Sequence, residues 1–294
     1  MRYHAGRWRN FMTCTPRDVI KRYNIKPRRK LSQSFLVDQN VIKKIVATAA
    51  ISPEDIIVEI GAGIGVLTED LAQKCRKIIA VELDENLVEV LKDKLAVYNN
   101  VEIHSGDILK YDFDLVSSTY KHKIKVIGNI PYNISSPVIF RLLNFRFAIA
   151  EFILMLQKEV VQRLVAVPNN KTYGVPSVLL QMFASVEKVF DVPAACFYPQ
   201  PKVESAVIKG TFLKEPAVEL CSEVFFTQLV KAAFAQRRKM LINNLKNSSM
   251  INDLGETVLK DILVSAGIDG RRRGETLSVA EYGCLSNLLQ KAID

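Results

Sequence analysis

Residues 55–75, "DIIVEIGAGIGVLTEDLAQKC", decide the fold. Ile56 to Ile60 is a nearly continuous apolar run, the pattern of a parallel strand covered on both faces. "GVLTEDLAQKC" returns to a helical pattern. Between them stands Glu59-x-Gly61-x-Gly63-x-Gly65. Glycines at a strand-to-helix turn let the backbone bend sharply and come close to a ligand, while the following helix offers its N-terminal N–H groups. The same turn also serves as a purely structural connection. A dinucleotide fingerprint would need glycine at position 66, where Val66 stands.

The alternation continues outward in both directions. "DQNVIKKIVATAA" (38–50) has apolar residues at helical spacing. "KIIAVEL" (77–83) reads as strand, "NLVEVLKDKLAVY" (86–98) as amphipathic helix, and "VEIHSGD" (101–107) and "KVIGN" (125–129) as strands. "SPVIFRLLNF" (136–145) follows as helix, with Ser136 a favoured N-cap and Pro137 at the first helical position, and then "EFILMLQ" (151–157) as strand. Strict β/α alternation predicts a doubly wound α/β sheet with right-handed crossovers. "VEKVFDV" (186–192) and "SAVIKGTFL" (205–213), joined by a proline-rich loop, suit an antiparallel pair at a sheet edge. Beyond residue 214 the pattern is helical, with "FFTQLVKAAFAQRRKMLINNL" (225–245) reading as one continuous helix. The predicted organisation is a basic extension over 1–30, an α/β domain over 31–213 and a small all-helical domain over 214–294.

Charge is concentrated at one end. Residues 1–30 carry ten Lys or Arg against Asp18, a net of +9, and the remaining 264 residues carry thirty of each sign. A solvated basic tail and a nucleic-acid arm both fit this excess, the latter because cations clustered in a chain displace counterions from phosphates. An Arg-rich leader is also the pattern of a mitochondrial transit peptide, against which stands the absence of serine from residues 1–30. Met12 is a second candidate start. No apolar run reaches membrane-span length. The five cysteines and three histidines are dispersed without a Cys-x-x-Cys pair, which argues against disulfides, a metal site and a His-based nucleophilic triad, and for a reducing cytoplasm.

In an open α/β sheet, ligands bind beyond the carboxyl ends of the strands. The first tip is the glycine loop, and the second carries Glu82, seventeen residues beyond Gly65, where an acid can accept ribose hydroxyls. The third carries Asp107 in "SGD", placed to accept from an adenine amine. The acid-Gly-x-Gly-x-Gly spacing resembles motif I of S-adenosylmethionine-dependent methyltransferases. The fourth tip carries Gly128-Asn129-Ile130-Pro131-Tyr132-Asn133. These are ordinary turn residues, yet they suit a specific chemistry. The N6 nitrogen of adenine is a poor nucleophile because its lone pair is delocalised into the ring. The Asn129 side-chain oxygen and the Ile130 carbonyl can accept its two N–H protons and aim the lone pair at a methyl donor. Pro131 fixes the backbone and Tyr132 offers a face for the base. With an activated methyl donor no general base is needed, and orientation is the main contribution.

"NIPYNISS" (129–136) resembles the Asn-Leu/Ile-Pro-Tyr motif of the ribosomal RNA adenine dimethyltransferase family. "KRYNIKPRRKLSQSFLVD" resembles that family's basic lead-in, "FYPQPKVESAV" its Phe-x-Pro-x-Pro-Lys-Val-x-Ser segment, and "AFAQRRKML" its helical-domain signature. The match runs from about Thr13 to near the end of the chain. It implies a Rossmann-like class I methyltransferase fold with S-adenosylmethionine as cofactor, contacted by Ser34, Leu36, Gly61, Gly63, Glu82, Asp107 and Asn129. It also implies that Phe197 closes the face of the target adenine opposite Tyr132. RNA contacts are expected at Lys26, Arg28, Arg29 and Lys30, and at Arg237, Arg238 and Lys239 within a helix. The implied partner is small-subunit ribosomal RNA in a pre-30S-like particle, bound by a monomer without membrane association. One departure stands out: the family's Gly-Gln-Asn-Phe reads Ser32-Gln33-Ser34-Phe35, with a shorter side chain at 34. Two rival functions share these motifs: a large-subunit RNA methyltransferase of the macrolide-resistance type, and a non-catalytic assembly or RNA-binding factor.

Overall fold

The structure, a computed structural model, describes residues 15–28, 31, 33–251 and 254–293. Met12, Thr13, Arg29, Lys30 and Ser32 lie outside the described residues. The described residues form two compact units, those from 15 to 161 with 187–211, and those of 162–186 with the ones from 212 to 293. A boundary read from composition at 213 separates strands from helices. Packing instead groups residues 162–186, with the helix Val175–Phe183, among the C-terminal helices.

The sheet of the first unit has the strand order β4-β3-β2-β5-β6-β9-β7, where β2 is Ile56–Ile60, β3 Lys77–Glu82, β4 Val101–Ser105, β5 Ile124–Asn129, β6 Ile149–Gln157, β7 Ala184–Val192 and β9 Ser205–Phe212. Strands β4 through β6 pair in parallel, and β9 runs antiparallel to β6 with β7 beyond it at the edge. The expected α/β alternation and the edge pair of strands are therefore present. All of β2 is buried, whereas β4, at the other edge, is largely exposed. The order reverses between β2 and β5, so the neighbouring tips Ile60, Glu82, Ser105 and Asn129 converge at the switch point.

At the opposite ends of the strands a half-buried cation ties three segments together. Lys125 Nζ lies 2.9 Å from both Asp55 and Glu151 and donates to the carbonyls of Ala49 and Ala50 at 3.1 Å. Against the raising effect of burial, the Ser52 N–H, donating at 2.7 Å, and then Lys125 hold the Asp55 carboxyl below its usual range.

Three local readings need correction. The basic lead-in is no solvated tail over its described part: Pro16–Arg22 forms helix α1, closed by a Thr15–Asp18 capping box. Val19 and Ile20 of α1 pack with Phe35, Ile64, Leu87 and Val90. The helix predicted from Ser136 begins at Ser135, because the single-turn helix Tyr132–Ile134 runs straight into it. Ser135 is already helical (φ −53°, ψ −52°) and its hydroxyl donates to the Tyr132 carbonyl at 3.2 Å, so no extended N-cap residue is needed. In the C-terminal unit, the helix predicted over 225–245 is broken into Glu223–Ala233 and Leu241–Lys246. The buried Asn244 amide donates to the carbonyls of Ala233 and Gln236 at 2.7 and 3.1 Å, stabilising the turn that interrupts it.

Among the described residues, no helix is long and apolar enough to cross a membrane. Lys125→Met should cost about 3 kcal/mol in denaturant unfolding, because it leaves the buried Asp55 carboxylate without its cation while Glu151 keeps Lys209 at 3.4 Å.

Candidate active site

The convergent tips frame a cleft of about 200 Å³. Apart from Leu36, each described residue expected to hold cofactor lines it: Ser34, Gly61, Gly63, Glu82, Asp107 and Asn129, along with Ile130, Pro131 and Tyr132. Its walls are mainly apolar, with Leu31, Ile60, Val81, Leu83 and Ile108 among them.

Gly61, Gly63 and Gly65 have φ of 66°, 60° and 73°, in the left-handed region. At Gly61 a side chain would be strained there and would also approach the Asn129 carbonyl to 3.5 Å. The turn is tied to the next strand tip: Gly63 N–H donates to Glu82 Oε2 at 2.8 Å, and the N–H groups of Leu83 and Asp84 donate to Oε1 at 2.9 Å. Burial raises the Glu82 carboxyl against these three opposing hydrogen bonds. Asp107 accepts from Leu109 N–H at 2.9 Å through one oxygen.

Two supports were invisible to motif reading. Lys94, only 4% exposed, reaches under the glycine loop to the Ile64 carbonyl at 3.0 Å and to Glu69 at 2.7 Å. Its signal was a lysine on the apolar stripe of Leu87, Leu91 and Leu95 in helix α4 (Glu85–Leu95), counted in chain order. Asp84, the N-cap of that helix, gathers the lead-in across the cleft mouth. It accepts from Gln33 at 2.9 Å and pairs with Arg28 at 3.3 Å, while Arg28 N–H donates to Gln33 Oε1 at 2.8 Å.

The Asn129 amide has a defined orientation. Its Nδ2 donates to the Ser34 carbonyl at 3.0 Å, and because a carbonyl can only accept, the Oδ1 end is left for the cleft. Ile130 N–H donates to the Met155 carbonyl of the adjacent strand at 3.0 Å. The Tyr132 hydroxyl meets Ser205 Oγ at 2.8 Å, and burial raises its ionisation above the usual tyrosine range. The shortened Ser34 side chain is itself used, donating to the Pro199 carbonyl at 2.8 Å. Sequence reading missed both serine contacts because their partners lie far along the chain.

Phe197 is placed differently from the expectation. It is 2% exposed, pairs with Leu36 across the short antiparallel ladder of β1 (Phe35–Leu36) and β8 (Phe197–Tyr198), and shares a core with Met155 and Val207. Neither Phe197 nor Leu36 lines the cleft. Tyr198, 45% exposed, is the outward-facing aromatic of that ladder.

The expected RNA cations divide similarly. Lys26 and Arg28 are exposed, although Arg28 also serves the Asp84 contact. Within the C-terminal unit, Arg237, Arg238 and Lys239 lie in the turn after Glu223–Ala233 rather than within a helix. Arg237 is engaged by Glu275 at 2.6 Å and by the Lys171 carbonyl. Arg238 and Lys239 are exposed and make no ion pair among the described residues. Among these residues no group of three His, Cys, Asp or Glu side chains is arranged to hold a metal.

The cleft fits S-adenosylmethionine. The apolar walls suit an adenine ring, and the acids at the second and third tips offer acceptor oxygens for ribose hydroxyls and an amine. The left-handed glycine turn admits close approach of the backbone. Among the described residues no lysine or arginine lines the cleft to oppose a sulfonium.

Glu59, 2% exposed beneath the loop, has a buried Oε2 without a well-formed hydrogen bond, and the Thr68 hydroxyl lies beside the carboxyl. Burial pushes the Glu59 carboxyl up to about 8, against the opposing pulls of the Thr68 hydroxyl and then Lys94. The folded state therefore holds this proton more tightly than the unfolded chain, whose value is near 4.5, and the group's contribution to stability falls as pH rises from 4.5 through about 8. Glu59→Gln should leave the melting temperature nearly unchanged at about pH 4 and raise it by several degrees above about pH 8. Thermal melts across that range test the sign.

Residues 24–284 match the family model described as ribosomal RNA adenine dimethylase. A ribosomal RNA small subunit methyltransferase A of Syntrophus aciditrophicus is 44% identical over 274 residues, 93% of this chain and 98% of that protein. The protein of the same name from Bacillus thuringiensis is 42% identical over 276 residues, covering 93% of this chain and 94% of its own. A crystal structure of a dimethyladenosine transferase from Plasmodium falciparum superposes with a TM-score of 0.76 at 27% identity, covering 85% of this chain and 95% of that one. A cleft lined by the glycine loop, two acids and an oriented Asn-Ile-Pro-Tyr turn is thus found in a chain that belongs to the ribosomal RNA adenine dimethylase family.

Proposed function

We propose that this protein dimethylates N6 of two adjacent adenosines in a 3′-terminal hairpin loop of small-subunit ribosomal RNA, using S-adenosylmethionine. It acts as a cytoplasmic monomer on a pre-30S-like particle. The observation that carries this reading is the orientation of Asn129: the Ser34 carbonyl takes its NH₂, leaving an acceptor oxygen beside the Ile130 backbone and the Tyr132 ring. A hydrogen-bond acceptor there is what an exocyclic amine requires.

When bound, S-adenosylmethionine supplies an electrophilic methyl on a sulfonium, with the sulfur keeping the electron pair when the methyl leaves. The chain's part is orientation. Asn129 Oδ1 and the Ile130 carbonyl accept the two N6 protons and turn the lone pair out of the ring plane. Pro131 holds that backbone, and Tyr132 supports the base once it has left the stack. The proton displaced by the new bond leaves to solvent from a cationic amine, so no side-chain base is required. Glu82 and Asp107 hold the cofactor's ribose and adenine. Phe197 gives the base a second face only if its ring turns out of the core, so the reading rests on Tyr132. Lys26, Arg28, Arg29, Lys30, Arg238 and Lys239 serve the RNA phosphates, with Arg237 bracing the turn that presents its neighbours.

Small-subunit substrate is favoured over the large-subunit alternative by relatives at 42–44% identity along nearly their whole length. The intact Asn129–Tyr132 turn favours an enzyme over a purely binding factor. Incubation with labelled cofactor and immature small subunits should yield N6,N6-dimethyladenosine. Its absence, or label appearing only in large-subunit RNA, would overturn the assignment. Asn129→Ala should lower turnover about 10²-fold while RNA affinity in a filter-binding assay changes far less.

A further inference from the structure

Ser205 is fully buried and opens β9, opposite Gln157 in the antiparallel ladder with β6. Its backbone is anchored by that ladder, which Lys158 N–H extends by donating to the carbonyl of the preceding Glu204 at 3.0 Å. Its hydroxyl is 2.8 Å from the Tyr132 hydroxyl. The Tyr132 side chain is therefore fixed at both ends: at its root by the turn that Pro131 begins, and at its far end by a post set in the sheet. Stacking alone does not require the phenol oxygen, since a phenylalanine ring presents the same face. A hydroxyl pinned to a buried serine instead fixes the direction of the side chain's long axis, and with it the position of the ring.

That position matters unequally for the two methylations of one nitrogen. An unmodified adenine offers two N–H protons, one for Asn129 Oδ1 and one for the Ile130 carbonyl. After the first transfer N6 carries one methyl and one hydrogen, so one acceptor loses its partner. The second transfer forms another N6–CH₃ bond, breaks the methyl's bond to the sulfonium sulfur, which keeps the pair, and releases the last N6 proton to solvent. During it the base is held by one hydrogen bond fewer and depends more on the ring beneath it.

We propose that Ser205 is a positioning residue that, through the Tyr132 hydroxyl, holds the monomethylated base for the second methyl transfer. The inference rests on the proposed function and extends it to the step at which the amine contacts are depleted. Ser205→Ala should slow the second transfer about fivefold more than the first, the rate equivalent of one hydrogen bond, so that N6-monomethyladenosine accumulates. Tyr132→Phe, which removes the other half of the contact and leaves the buried serine in place, should raise the monomethyl fraction similarly. The double variant should raise it no further.

A second arm reads binding without turnover. Cofactor-free Ser205→Ala should lose severalfold more affinity for a hairpin carrying N6-monomethyladenosine than for the unmodified hairpin. Thermal melts of both variants identify any loss of fold, and the half-buried Tyr132→Phe keeps the test open if Ser205→Ala does not fold. Unchanged product ratios in the folded variants, additive effects in the double variant, or equal affinity losses for the two hairpins would overturn the role of Ser205. A parent protein that methylates neither adenosine would overturn the function itself, and the binding arm would still decide the role of Ser205.

Discussion

The site depends on how closely β2 and β5 approach at their carboxyl ends. Gly128 pairs with Ile60, and a Cβ at 128 would lie 2.6 Å from the Ile60 carbonyl. Only a residue without a side chain allows this register to continue to the strand tips. Because it does, the left-handed turn at Gly61 meets the Asn129 backbone, and Ile130 can donate to the next strand at Met155. The cofactor turn and the amine-orienting turn are thus two ends of one tight pairing.

Around that pairing, the polar groups that matter are held from a distance in sequence. The Ser34 carbonyl orients Asn129, the Ser34 hydroxyl ties Pro199, and Ser205 holds Tyr132. Asp84 holds Arg28 and Gln33, and Lys94 braces the glycine loop from beneath. Each contact either satisfies a buried polar group or fixes a rotamer, which is how a surface turn acquires the rigidity that positioning chemistry requires. The antiparallel β9 is what makes Ser205 available: running opposite to β6, it starts where the parallel strands end.

Most of the differences from the sequence reading share one cause. Helix periodicity continued through Arg237–Lys239, but a buried amide at Asn244 took the carbonyls of the turn and the helix stopped at Ala233. Ser136 has the residue type of a cap, yet the preceding turn was already helical. The charge of residues 1–30 concealed Val19 and Ile20, two apolar positions sufficient to dock a short capped helix on Leu87 and Val90. Phe197 carries a motif position, but its ladder with Leu36 directs it into the core. Except at Ser136, where the preceding turn decides, a contact beyond the local turn outweighed a local preference.

By itself the sequence determined the α/β alternation, the glycine turn, and the acids and amide at successive strand tips. These follow from local quantities: the two-residue period of strands, the 3.6-residue period of helices, and the restricted φ of glycine and proline. Only the tertiary structure decided which end of the Asn129 amide faces the cleft, what holds the Tyr132 ring, and which basic residues remain free. Those depend on hydrogen bonds between residues such as Ser34 and Asn129, or Tyr132 and Ser205, whose separation along the chain leaves no periodic trace. Pattern can place a residue at a strand tip, but the direction of its donor or acceptor is set by a partner that folding brings beside it.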